Sequence, residues 1–119
     1  MKYLMLIYQG STPLPGSEAW DALAEDEQQA IYADYGKLNQ TAGVTPGLPL
    51  GLPENATTVR VQGGQTLTTD GPFVSVKEAL GGYFVLEADD LDAAIELASR
   101  VPAARLGGAI EIRPSETYW

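Results

Sequence analysis

The sequence contains no cysteine and no histidine. The first absence excludes disulfides and thiolate chemistry. The second removes the usual acid–base group of neutral pH and the commonest metal ligand. Basic residues are scarce as well, seven against sixteen acidic ones, for a formal net charge of −9. Such a surface repels phosphate backbones and no local basic patch offsets it, so nucleic acid is not an expected partner. Long hydrophobic runs are missing. The apolar stretch near the N-terminus is too short to cross a bilayer and has no small-residue cleavage site behind it. The expectation is a cytoplasmic protein with no membrane partner. Gly63-Gly64 and Gly107-Gly108 lack the spacing and context of a phosphate loop, and no serine sits in a nucleophile elbow. Glu25, Asp26 and Glu27 are adjacent on a helical pattern, so their carboxylates fan apart instead of converging on a metal. No cofactor and no metal are expected.

What is present is organised around residues 66–84. A polar-alternating strand runs into Asp70-Gly71-Pro72-Phe73, a short charged segment follows, and Gly81-Gly82 releases the chain into an apolar strand. Pro72 fixes its own φ and donates no hydrogen bond, so the preceding strand must stop there. Asp70 can accept hydrogen bonds from nearby backbone N–H groups and simply close the turn. It can also line a pocket mouth as a base or ligand anchor, and both readings stand.

The 119 residues point to a single domain, large enough for one core without staples. Tyr3 to Tyr8 is apolar without alternation, as in a strand buried on both faces. Residues 9–17, with two prolines and two glycines, read as a loop. From Glu18 to Ala42 the pattern is helical: Ile31, Tyr35, Leu38 and Ala42 form one stripe, and the acidic triplet marks the start of the main helix. Trp20 and Leu23 belong to a short preceding turn, and Gly43 is placed as the helix stop, with Pro46 beyond it. Residues 45–55 read as irregular extended chain with at most a short edge strand. Gly63-Gly64 joins two strands in a hairpin whose register sets Arg60 opposite Leu67. Phe73 and Val76 are expected to fasten the segment after the turn to the core. Residues 82–87 form a second strand apolar on both faces. Asp89 or Asp90 caps a helix that buries Leu91, Ala94, Ile95, Ala98 and Val101, and Pro102 follows its end. The last strand, 109–113, sets Ile110 and Ile112 against Glu111 and Arg113.

Several stretches together resemble the DGPF-domain proteins, a branch of the YCII-related family. They are Asp70-Gly71-Pro72-Phe73, Lys77-Glu78, Leu80-Gly81-Gly82-Tyr83, Asp89-Asp90-Leu91-Asp92, Pro102-Ala103-Ala104-Arg105 and Glu111-Ile112-Arg113-Pro114. The opening Met1-Lys2-Tyr3-Leu4-Met5-Leu6-Ile7-Tyr8 looks like the family's first strand. The resemblance implies a ferredoxin-like unit that pairs into a dimeric α/β barrel, and it settles architecture more than activity. Members outside the DGPF branch are associated with a His–Asp pair proposed as an active site, which a chain without histidine cannot carry. The acidic residue common in the branch shortly after the motif is also missing, because Val74-Ser75-Val76 precedes Lys77-Glu78.

The element order, independently of the resemblance, fits an α+β fold: a split βαβ antiparallel sheet with two helices on one face. Two helices cover one face of a sheet, yet two of its strands are apolar on both. A homodimer, sheet against sheet, hides the remainder. A ligand cleft is expected between sheet and loop in each subunit. Its candidate polar groups are Asp70 as a catalytic base, with Tyr8, Arg60, Lys77, Glu111 and Arg113 as ligand contacts. Each has a plainer alternative. Arg60 and Glu111 can form a cross-strand ion pair of little consequence. Tyr8 can be a core aromatic, and Lys77 a solvated charge. Three functions follow: a small-molecule binding or sensing dimer, which is preferred; a cofactor-independent isomerase or oxygenase using Asp70; and a structural interaction module.

Overall fold

The structure, a computed structural model, describes residues 1–70 and 80–118, and of Asp70 the backbone alone. The chain opens with β1 (Lys2–Tyr8), the short helix α1 (Glu18–Asp21) and the long helix α2 (Glu25–Asn39). Next come β2 (Val44–Pro49), a 3-10 turn (Pro53–Asn55), and β3 (Thr57–Gln62) with β4 (Gln65–Asp70). It closes with β5 (Leu80–Glu87), α3 (Leu91–Ala98), α4 (Pro102–Arg105) and β6 (Ala109–Pro114).

Four strands form one antiparallel sheet in the order β2-β5-β1-β6, while β3 and β4 pair only with each other. Each helical crossover returns the chain two places along the sheet with an antiparallel strand between, which is the split βαβ order. The fold is thus α+β. The edge strand anticipated in 45–55 is β2. It tolerates Pro46 and Pro49 because β5 is its sole neighbour in the sheet.

Period-two alternation decides which side chains are dry. Tyr3 and Met5 of β1 face the helices, opposite Leu86 and Phe84 of β5. Leu38 of α2, Ala94, Leu97 and Ala98 of α3, and Val101 and Ala103 beyond it complete that core. Small residues on α3 let the helix lie close to the sheet. The alternate row, Leu4 and Leu6 opposite Val85 and Tyr83, lies on the other face, where Leu4 is 36% and Tyr83 37% exposed. β6 adds Arg113 beside Leu4 and Glu111 beside Leu6 on that same face.

The hairpin register is the expected one: Arg60 pairs with Leu67, and Gly63 and Gly64 take φ of 56° and 78° in the turn. Detached from the main sheet, the hairpin leaves Val59 and Val61 more than half exposed. The total accessible surface is 8279 Å2, against about 6,200 Å2 for a compact monomer of 12.7 kDa.

Three expectations need correction. α2 ends at Asn39, before Gly43, and Ala42 is exposed. Gly43 instead takes φ +87° where the chain turns into β2, and a Cβ there would lie 2.5 Å from the Glu87 carbonyl oxygen. Ala94, Ala98 and Val101 are buried as expected, but Leu91 and Ile95 of α3 are half exposed and Leu97 is buried in their place. The glycine pair 81–82 lies inside β5, which begins at Leu80. Phe73 and Val76 fall outside the described residues.

The helix starts match the sequence. α2 has no side-chain cap, and Glu25, Asp26 and Glu27 in its first turn offset the dipole instead. Asp90 caps α3, its carboxylate accepting from the Ala93 N–H at 2.9 Å. Asp90→Ala is expected to lower unfolding free energy by about 1 kcal/mol, measured by urea titration. An unchanged midpoint would show that α3 is held by packing alone.

Candidate functional site

A cavity of about 720 Å3 opens between α2, the end of the sheet and the loops on either side. Its floor is a consequence of β5. The helix-facing row of that strand runs Leu86, Phe84, Gly82, and at the third place there is no side chain. Gly82 pairs with Ile7, and a Cβ built on it meets nothing nearer than 3.5 Å. The space that a larger residue would fill is therefore left open, with Ile7, Gly82 and Phe84 beneath it. Tyr35, Leu38 and Asn39 of α2 form one wall, and Leu48, Pro49, Leu50 and Leu52 form the rim beyond β2.

The remaining wall is the loop after β1, which is tightly built. Gly10 has φ +53°, and a Cβ there would lie 2.2 Å from the Gly107 carbonyl oxygen. Left-handed backbone and close approach both require glycine at that position. The turn is closed by the Thr12 N–H donating to the Gln9 carbonyl at 2.8 Å and by Ser11 N–H to Gly107 at 3.3 Å. Gln9 and Thr12 are thereby held at the cavity. The Gln9 side chain lies across Gly81, where a Cβ would come within 2.2 Å of its amide nitrogen. The Tyr83 ring similarly occupies the space over Gly47, 2.6 Å from where a Cβ would sit.

Polar atoms in the wall differ in how they are engaged. Ser17 is committed: its hydroxyl donates to the Leu14 carbonyl at 2.7 Å and accepts from the Trp20 N–H at 3.1 Å as the cap of α1. Trp20 then packs edge-on against Tyr32, centroids 5.3 Å apart, and Gln28 donates to its carbonyl, so α1 is clamped to α2. Thr12 Oγ1 is buried and has no hydrogen-bond partner. Burial pushes the Tyr35 phenol above its ordinary pKa, while a hydrogen bond with the Ala103 backbone and the charge of Arg105 pull the other way. Arg105 itself is ion-paired with Asp34 at 2.6 Å. No carboxylate, lysine or arginine belongs to the wall among the described residues. Nor do the described residues contain a cluster of His, Cys, Asp or Glu that could hold a metal ion.

The residues singled out from sequence are distributed elsewhere. Tyr8, Glu111 and Arg113 lie on the sheet face opposite the helices, and Arg60 is on the hairpin. None of these four belongs to the cavity wall. The Asp70 backbone pairs with Thr57 at the base of the hairpin, one 3-10 turn away from Leu52 on the rim. Its side chain, and all of Lys77, lie outside the described residues. Gln9, Thr12 and Tyr35 were missed as site residues. Tyr35 carried a signal, since a phenol on the apolar stripe of α2 must bury its polar end somewhere. Gln9 and Thr12 carried none beyond their place in a loop with glycine at position 10.

Because the folded-state pKa of Tyr35 is raised, its contribution to stability is complete below the unfolded value, about pH 10, and is lost as pH rises through the folded one. Tyr35→Phe, which cannot ionise, is expected to lose less of its urea midpoint between about pH 8 and pH 11 than the parent protein. Equal losses would show that the phenol is not protected by burial.

Comparison with known proteins places the chain. The YCII-related domain family matches residues 1–116. An uncharacterised protein of Rhizobium meliloti (strain 1021) is 31% identical over 127 aligned positions, covering 99% of this chain and 94% of that one. Among solved structures, 5-chloro-2-hydroxyhydroquinone dehydrochlorinase from Burkholderia phenoliruptrix, in complex with 2,5-dihydroxybenzoquinone, aligns with a TM-score of 0.49 at 19% identity. That alignment covers 98% of this chain and 94% of the other. With the family matched over nearly its whole length, the chain is a member of the YCII-related domain family.

Proposed function

We propose that this YCII-related protein is a homodimeric small-molecule binding protein that holds its ligand in the cavity beneath α2. The observation that carries the reading is the wall itself: an apolar pocket of ligand-binding size with a small number of fixed polar groups. The described wall supplies hydrogen-bonding groups without a carboxylate, which favours binding over general-base chemistry. Pairing through the bare sheet face, as a dimeric α/β barrel, is part of the proposal. Leu4, Leu6, Tyr83 and Val85 make an apolar strip there, with Glu111 and Arg113 beside it. A second copy carries the same strip and no additional partner has to be supposed.

A thermal-shift screen of small metabolites tests the binding reading when it is run on the parent protein and on Gly82→Val in parallel. A Cβ at this position makes only ordinary contacts, the nearest with the Leu48 carbonyl oxygen at 3.5 Å, and the methyls of valine are expected to occupy the cavity floor. Ligands should raise the melting temperature of the parent, corresponding to about 2.7 kcal/mol at a hundredfold excess over Kd, and leave Gly82→Val unmoved. Hits that stabilise both proteins equally would contradict the assignment of the site.

A further inference from the structure

We propose a second binding site, separate from the cavity beneath α2, that takes a phosphate-bearing small molecule in the hollow where α2, α3 and α4 end. The hollow has a volume of about 330 Å3, with the buried Leu38 and Leu97 as its apolar part and Lys37, Arg100 and Arg105 around it. Three of the chain's seven basic residues thus border one small hollow, on a protein of net charge −9. Positions 37, 100 and 105 are too far apart to read as a basic run in the sequence. The fold gathers them at three helix ends: Lys37 is in the last turn of α2, Arg100 directly follows the Ser99 cap of α3, and Arg105 is the last residue of α4.

The plainer role of a basic side chain at a helix C-terminus is to balance the dipole. Here the terminal carbonyls are already served. The Gln40 and Thr41 N–H groups donate to the last carbonyls of α2, and the Thr41 hydroxyl donates to that of Lys37 at 2.8 Å. On α3 the N–H groups of Ser99, Arg100 and Val101 and the Ser99 hydroxyl do the same. The cationic heads are therefore left for other partners. Arg105 holds Asp34 at 2.6 Å and Arg100 holds Glu96, while Lys37 has no ion pair among the described residues. Both existing pairs are open to water, where such pairs are weak and readily exchanged.

Those pairs also select the ligand class. A monocarboxylate would only repeat what Asp34 and Glu96 already give the arginines. A phosphate carries close to two charges at neutral pH and three acceptor oxygens. That is enough to engage both guanidinium forks and the lysine ammonium around one small hollow. The volume is at the lower end of ligand pockets, about 300–1,000 Å3, and leaves a small organic body to rest on Leu38 and Leu97.

Isothermal titration of the full chain with inorganic pyrophosphate, at constant low ionic strength, tests the site. Pyrophosphate should bind saturably at one per chain, and acetate should not. Lys37→Gln and Arg100→Gln, both at exposed positions and checked for fold by circular dichroism, should each weaken pyrophosphate binding about tenfold, as expected for one lost charge-assisted hydrogen bond. Lys2→Gln removes the same charge from β1, outside the hollow, and should leave the affinity within about twofold. Absence of saturable pyrophosphate binding would overturn the proposal and leave the cavity beneath α2 untouched. Equal weakening by Lys2→Gln would show general attraction to charge and overturn it as well. Acetate binding as tight as that of pyrophosphate would overturn the phosphate class.

Discussion

The sheet in this protein has to be apolar on both sides while its own helices can cover only one. β1 and β5 are the central pair, and their ladder puts Tyr3, Met5, Phe84 and Leu86 against the helices. The interleaved row of Leu4, Leu6, Tyr83 and Val85 lies on the face away from the helices and keeps part of its surface open, Leu4 and Tyr83 the most. Alternation at period two makes this unavoidable: a run of consecutive apolar residues in a strand serves two faces or wastes one. The proposed second copy follows from that one constraint, and Glu111 and Arg113 lie beside the strip it would cover.

The same strand, β5, governs the other face. Its helix-side row is filled at Leu86 and Phe84 and empty at Gly82, and the cavity begins where the side chains stop. Gly81 and Gly47, on either side, make room for the Gln9 amide and the Tyr83 ring. These glycines are needed less for unusual backbone angles than for volume withheld from the sheet. At Gly47 and Gly81 a Cβ would collide with Tyr83 and Gln9, whereas at Gly82 it would enter open space at the cavity floor. The space left open is what the proposed binding site would use, at a cost in packing for so small a fold.

Most of the architecture was legible in the sequence because it rests on local rules. Asp90 as a cap, the acidic first turn of α2, the Gly63-Gly64 hairpin and the two-faced strands each state their structure within a few residues. Leu91 and Ile95 misled, since a short helix with apolar residues at nearly every position offers two stripes, and small side chains at Ala94 and Ala98 fit either. The site was harder. Polar residues on strands, such as Tyr8, Arg60, Glu111 and Arg113, read as site candidates, although polar residues alternating on a strand only report which face they share. The cavity wall is assembled from loop, helix and sheet segments far apart in the chain. Its decisive feature, a missing side chain at Gly82 beneath the gap between helix and loop, exists only once those segments meet.

Whether a second copy covers the bare face is the question on which the account turns, and it can be read at the side chains concerned. Hydroxyl-radical footprinting across a dilution series, read by mass spectrometry, reports how accessible Leu4 and Tyr83 are at each protein concentration. Leu91, half exposed on α3 away from that face, serves as the internal reference. The account predicts that Leu4 and Tyr83 are protected at high concentration and become reactive together on dilution, while Leu91 stays constant. Reactivity of Leu4 and Tyr83 that is high at every concentration would contradict it.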